Sequence, residues 1–323
     1  MELIETLDNP APGGAQVATI RTRDGLDLRV ARWHPLGETR GTVVICQGRA
    51  EFIEKYFETI GELLTRKLCV VTFDWRGQGL SGRELSNPRK GHIDDFSIYE
   101  RDLEALTQQI IAPFCPQPWF GLAHSMGGAI LLSQARAGRS PFARMVMSAP
   151  MIDLYGLHFP TLSRVTAEVL DAIGLGSSFI PGGSSQARLM RAFYQNVLTR
   201  DERRYKRCAQ MLAADERLAL GDPTIGWINA AFRVMKEFAD SEFPRRVPVP
   251  ALVFNAGADR VVDGRAVERF AQRLKAGRVI TLPGSEHEIL QERDEIRAQF
   301  WAAFDEFVPG SLVPVREVVA ATD

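Results

Sequence analysis

Long apolar runs are missing from this chain of 323 residues. None approaches the roughly 18 apolar residues of a membrane-spanning helix. The amino terminus, Met1-Glu-Leu-Ile-Glu5, is acidic and lacks an extended apolar stretch, so no signal peptide is expected. Cysteine is scarce. Cys46, Cys69, Cys115 and Cys208 show neither close pairing nor metal-ligand spacing, which argues against a disulfide framework and a zinc site. Three of them sit in or beside apolar runs and read as core thiols, suited to a reducing compartment. A basic excess is also absent: the net charge is −1, which argues against bulk binding of nucleic acid. Histidine is limited to five residues, so few side chains are available as a base. These absences lead to the expectation of a cytoplasmic protein, with peripheral membrane contact as the only membrane option.

What the chain does contain is Gly121-Leu-Ala-His-Ser-Met-Gly-Gly128. An apolar run, Pro118 to Ala123, precedes Ser125, and a small-residue helix opening follows it. A strand feeding a sharp turn into a helix is the setting of a nucleophile elbow, in which a strained serine is lifted clear of a sheet. The positions two before and two after the serine must be small. Gly127 fits, and Ala123 replaces the usual glycine at a cost of one methyl. A serine hydroxyl needs a base, and the base needs an acid to hold its tautomer. In this fold the acid and then the histidine follow the serine along the chain. Pro250 to Phe254 reads as a strand ending near Asp259, and Arg278 to Leu282 as the next strand, ending near His287. The expected triad is Ser125, Asp259 and His287. Asp263 competes for the acid role but is better placed as the N-cap of the following helix. His34 follows an N-terminal strand and reads as a surface residue, His92 and His158 lack a strand-end position, and the elbow should turn His124 away.

An oxyanion also needs donors. The amide of Met126, next after the nucleophile, is one candidate. Thr42 to Cys46 reads as a strand, and in the loop after it Gly48 permits a sharp turn and Arg49 offers the second amide. Around these points, strands and helices alternate after an N-terminal hairpin that turns at Asp24-Gly25. Such alternation predicts a mostly parallel sheet flanked by helices, with ligands at the carboxyl ends of its strands. Residues 1–150 and 247–323 form this α/β core, and between them, after the sixth strand, residues 151–246 read as helical.

The chain resembles the α/β-hydrolases grouped as bacterial lysophospholipases and monoacylglycerol lipases. The resemblance rests on Asp74-Trp-Arg-Gly-Gln-Gly-Leu-Ser81, Gly91-His92, His124-Ser-Met-Gly-Gly128, Gly221-Asp-Pro-Thr-Ile-Gly-Trp227, Gly257-Ala-Asp259 and Ser285-Glu-His287. Gln47 departs from it, standing where a histidine often precedes the oxyanion glycine. The resemblance implies a serine ester hydrolase acting on a lysophospholipid or monoacylglycerol, with no metal or organic cofactor. It implies that residues 151–246 are a helical cap, and it favours Trp227, with Gly48, as a substrate contact. Other aromatic and Met residues of that segment, such as Phe179, Met190, Phe193, Met211, Leu212, Phe232 and Met235, are expected mostly to form the cap's own small core. A proline-releasing peptidase or an acyltransferase would use the same triad. A non-catalytic ligand binder is disfavoured, because all three triad positions are filled.

One charge feature is left over. Arg188, Arg191, Arg200, Arg203, Arg204, Lys206 and Arg207 cluster in the helical segment, partly offset by Asp201 and Glu202. Such a cluster is either a solvated helix face or a surface that meets anionic lipid.

Overall fold

The computed structural model describes residues 2–308. β1 (Gln16–Arg21) and β2 (Asp27–Trp33) form the antiparallel hairpin, and Gly25 takes φ +86° in its turn. β3 (Thr42–Cys46), β4 (Cys69–Phe73), β5 (Trp119–His124), β6 (Arg144–Ser148), β7 (Ala251–Ala256) and β8 (Gly277–Leu282) run parallel to one another. The sheet order is β1-β2-β4-β3-β5-β6-β7-β8, with β2 antiparallel to β4. Every residue of β3, β4 and β7 is buried, as expected for strands covered by helices on both faces.

The helices follow from the connections. α1 (Phe57–Thr65) joins β3 to β4, and α2 (Ser97–Leu106) with α3 (Ala112–Phe114) joins β4 to β5. The sequence predicts a helix from Asp94 to Ile111, with Asp95 or Ser97 near its start. The structure starts it at Ser97, whose amide bonds to Asp95 Oδ1 at 2.8 Å, and widens it into a π turn over Thr107–Ile111. α4 (Met126–Arg136) follows β5. Because β3 passes its chain to one side and β5 lies on the other, the order reverses between them. Their carboxyl ends therefore open a crevice. Ser125 and the Gln47–Ala50 loop stand at its two edges.

Residues between β6 and β7 supply α5 (Pro160–Leu170), α6 (Glu202–Ala214) and α7 (Ile225–Phe238), and no strand of the sheet. α8 (Gly264–Ala271) and α9 (Asp294–Phe307) complete the α-helices of the described residues. The expected separate core of the helical segment forms only in part. Met211 and Leu212 gather with Leu189, Tyr205 and Cys208 under Phe52, and Phe193 packs against them. Trp227, Phe232 and Met235 join the main core instead. α7 is tied to the sheet unit at both ends. Trp227 meets Phe96 with ring centroids 5.6 Å apart, and Phe238 meets Phe270 at 5.5 Å. Met190 is half exposed, and Phe179 lies beneath Lys90.

A buried charge cluster locks the ground beneath the crevice. Arg29 on β2 reaches Glu54 Oε1 at 2.6 Å and Asp74 Oδ2 at 2.7 Å, and all three side chains are fully buried. Asp74 also accepts the amides of Ile53 at 3.0 Å and Leu80 at 2.8 Å. Gly79, at φ +50°, passes so close that a Cβ there would meet Asp74 Cγ at 2.1 Å. This gives the Asp74–Ser81 motif a physical role: it folds back on its own first carboxylate. Arg29→Met leaves two buried carboxylates without their cation. A urea titration should show a loss of about 3–5 kcal/mol.

Candidate active site

Ser125 occupies a backbone conformation that side chains rarely adopt, φ +48° and ψ −113°. Its amide bonds to Ser148 O at 3.1 Å and its carbonyl accepts Met151 N at 3.0 Å, so β6 and the segment after it hold the turn in place. Gly127 is required by contact. A Cβ there would meet Cys46 O at 2.1 Å, at the end of β3. Ala123, in register with Cys46, is fully buried, and its methyl is accommodated.

The structure brings together three side chains from three strand ends. His287 Nε2 lies 3.0 Å from Ser125 Oγ, and His287 Nδ1 lies 2.8 Å from Asp259 Oδ2. Asp259 Oδ1 accepts the amides of Val261 at 2.7 Å and Val262 at 3.0 Å, which fixes the carboxylate. Nδ1 therefore donates to Asp259, leaving Nε2 free to accept the serine proton. Burial opposes charge on His287, but the Asp259 carboxylate outweighs it and raises the imidazole above the ordinary histidine value. For Asp259, burial pushes upward, yet His287 and the two amides leave it below the usual carboxylate range. Asp263 does something else. Its Oδ1 accepts Arg265 N at 2.8 Å and Ala266 N at 3.2 Å, capping α8.

His124 makes no hydrogen bond to Ser125 Oγ among the described residues, but neither does it turn away from the site. Its ring packs on that of His287, with centroids 4.7 Å apart, and its Nδ1 donates to Ser148 O at 3.0 Å. Burial drives it down to about 4, opposed only in part by Glu51, so its ring is neutral near pH 7. His34 and His158 are exposed, and His92 pairs with Thr224 at the start of α7.

The amides of Met126 and Arg49 have no hydrogen-bond acceptor among the described residues. Met126 N is a first-turn helix amide, a donor that a helix leaves unsatisfied. The loop that carries Arg49 is clamped from several sides. Trp75 Nε1 donates to Gln47 O at 2.9 Å, Gln78 Oε1 accepts Ala50 N, and Glu51 Oε2 accepts Gly48 N. Gly48, expected to touch substrate, is not among the residues lining the cavity. Its role is close approach: a Cβ there would lie 2.9 Å from both Glu51 Oε2 and His124 Cδ2.

Residues that the sequence reasoning passed over form a buried ion triad beside the two histidines. Lys55 Nζ lies 2.8 Å from Glu51 and 2.6 Å from Glu288. Burial would raise Glu51, but Lys55 brings it down to about 2. Glu51 and Lys55 at i,i+4 were a visible signal, whereas Glu288 reaches them only through the tertiary fold. No group of His, Cys, Asp and Glu among the described residues is arranged to hold a metal ion.

Above Ser125 and His287 lies a cavity of about 400 Å³ between the sheet unit and the helical segment. Met151, Leu154, Leu157, Ile228 and Phe232 make much of it apolar. Trp227 also lines it, although its Nε1 donates to Tyr99 Oη at 3.2 Å and most of the ring is core. The basic cluster of the helical segment does not form one surface. Arg204 is 2% exposed and binds Glu58, Asp201 and Asp294. Arg207 pairs with Glu58, and Arg188 lines the cavity.

The geometry makes a measurable distinction between the two aspartates. Asp259→Asn removes the charge that raises His287, so the imidazole titration followed by 15N NMR should move to lower pH. Asp263→Ala should leave that titration in place and cost about 1 kcal/mol of stability through the lost helix cap. A His287 titration that responds to Asp263 and not to Asp259 would contradict the pairing.

The serine aminopeptidase S33 family matches residues 37–294. Lysophospholipase L2 of Escherichia coli is 32% identical over 291 residues, spanning 85% of this chain and 82% of that protein. The monoglyceride lipase of Homo sapiens is 26% identical over 256 residues, spanning 78% and 76%. Among solved structures, a Saccharomyces cerevisiae monoglyceride lipase in complex with a substrate analog superposes with a TM-score of 0.72, at 19% identity, over 91% of this chain and 96% of that one; at that identity the likeness concerns the fold. With an α/β-hydrolase sheet, a serine at its elbow and a family match over most of its length, this chain belongs to the serine aminopeptidase S33 family.

Proposed function

We propose that the protein is a serine hydrolase that cleaves the acyl ester of a single-chain lipid through an acyl-enzyme. The observation that carries this reading is the Ser125–His287–Asp259 relay opening into a largely apolar cavity of about 400 Å³. Ser125 Oγ attacks the ester carbonyl while His287 Nε2 takes its proton. The negative charge on the carbonyl oxygen falls to the amides of Met126 and Arg49. His287 then returns the proton to the leaving alcohol. Water, activated by the same imidazole, frees the fatty acid. Asp259 holds the Nδ1–H tautomer and stabilises the imidazolium that forms in each half-reaction. Residues 151–246 act as the cap that shapes the acyl pocket and excludes water.

The names of two relatives, a lysophospholipase and a monoglyceride lipase, support a lipid ester as substrate. So does the outer face of α5. Phe159, Leu162, Val165 and Val169 project into solvent beside cavity residues Leu154 and Leu157, a surface suited to taking substrate from a lipid aggregate. No helix among the described residues is long and apolar enough to cross a membrane. An aminopeptidase, the activity in the family's name, must hold a protonated amine. Both carboxylates of the cavity wall, Glu51 and Glu288, are already paired with Lys55, so the cavity favours an ester over a peptide amine.

A panel of lysophospholipids, monoacylglycerols and aminoacyl amides, assayed side by side, tests the reading. The long-chain esters should turn over and the amides should not. Ser125→Ala and His287→Ala should each lower kcat by at least about 10⁴-fold. Faster cleavage of the amides would point to the peptidase.

A further inference from the structure

Arg49 is a cation without a counterion, set in the wall of a mostly apolar cavity. Its Nη2 donates to Gly221 O at 3.0 Å, and its guanidinium sits 5.2 Å from the centre of the Trp227 ring. Its Nε is buried and bonds to nothing. No carboxylate lies within ion-pair distance of it among the described residues. The arginines buried among the described residues are treated differently: Arg29, Arg76, Arg204 and Arg297 each bind two or more carboxylates. Burial lowers Arg49 to about 10.

The surroundings specify the ligand's charge. Arg188 lines the same cavity and lies close enough for its charge to act on Arg49. Its Nε reaches Asp222 only at 3.6 Å, and about half of its side chain is exposed. Two guanidinium groups against one carboxylate leave one positive charge facing the cavity. An anion with several oxygens would take the outer nitrogens of the Arg49 and Arg188 guanidinium groups. Guanidinium groups favour phosphate because their planar N–H forks match its oxygens.

Position supplies the connection to the reaction. The Arg49 amide faces the carbonyl oxygen in the proposed mechanism, while its side chain runs toward Gly221 and Trp227. A group that contacts this side chain while the carbonyl is held must lie a few bonds from the ester. In a lysophospholipid that group is the phosphodiester. In a monoacylglycerol it is a neutral hydroxyl, which leaves the cationic site unfilled. We propose that Arg49 and Arg188 form a phosphate-binding subsite inside the acyl-ester cavity, which takes the phosphodiester headgroup and so selects lysophospholipids over monoacylglycerols. This rests on the ester-hydrolase reading above.

The test uses a lysophosphatidylcholine and a monoacylglycerol of the same acyl length, both presented below their aggregation concentrations. The subsite predicts a higher kcat/KM for the lysophospholipid in the parent protein. Arg49→Met and Arg188→Met should each lower the ratio of the two kcat/KM values by about tenfold or more, mainly through KM for the phospholipid. Taking the ratio within each variant cancels damage to the fold or to the Arg49 amide, since a purely structural clamp on Gly221 and Trp227 would slow both substrates alike. A ratio within twofold of the parent in both variants would overturn the subsite, as would a parent that prefers the monoacylglycerol, and in either case the ester-hydrolase reading survives. Absence of turnover on both esters would instead sink that underlying reading, and the subsite with it. Glycerophosphocholine and inorganic phosphate, tested as inhibitors of a neutral soluble ester, separate the two sources of phosphate. Stronger competitive inhibition by glycerophosphocholine, lost in Arg49→Met, supports the headgroup site. Stronger inhibition by the free ion would assign the site to inorganic phosphate and overturn the headgroup assignment.

Discussion

The close approach of two backbones organises this molecule. Gly127, in the first turn of α4, lies against the Cys46 carbonyl at the end of β3 with no room for a side chain. That approach is available because β3 and β5 are neighbours in the sheet, paired in register from Thr42 to Cys46. It brings Ser125 and the Arg49 loop to the two edges of one crevice, so the proposed nucleophile and both proposed oxyanion donors share a site. A non-glycine residue at φ +48° carries a strain of about 1–3 kcal/mol, which only a surrounding structure that over-determines it can hold. The bonds from Ser148 and Met151 hold Ser125 on one side. Trp75, Gln78 and Glu51 hold the facing loop on the other. Beneath both, the Arg29–Glu54–Asp74 cluster fixes the turn that the loop runs into.

Electrostatics divides the work between two adjacent histidines. His124 and His287 are both buried and their rings touch, yet they shift in opposite directions. The difference lies in the partner of Nδ1. Burial outweighs what Glu51 and the neutral Ser148 carbonyl do for His124, whereas the Asp259 carboxylate overcomes that of His287. One ring stays neutral and packs; the other is poised to accept a proton. The Glu51–Lys55–Glu288 triad sits beside both, with no unpaired member.

Much of this was legible in the sequence, and the boundary between what was and was not is physical. Ser125, Asp259 and His287 could be found because each follows a strand, and strand ends in a parallel sheet converge. The N-cap role of Asp263 was legible because capping is local. Long-range partners were not. Arg204 looked like part of a basic surface because its counterions, Glu58 and Asp294, lie far away in sequence. Helix α7 looked like part of a self-contained cap because its apolar face has the same period whichever core it enters. The Asp74–Ser81 segment was readable as a family mark, but its function as a clamp on the Arg49 loop needed the fold. Gly48 was assigned to substrate because a glycine kept for backbone approach and one kept for ligand approach look alike in sequence.

The central claim is that Ser125 is a nucleophile activated by His287. A fluorophosphonate probe tests it directly, because phosphonylation requires an activated hydroxyl and no knowledge of the natural substrate. Peptide mass mapping should find a single adduct on the peptide containing Ser125, and its rate of formation should fall sharply in His287→Ala. An unmodified Ser125, or labelling that proceeds equally well without His287, would contradict the account.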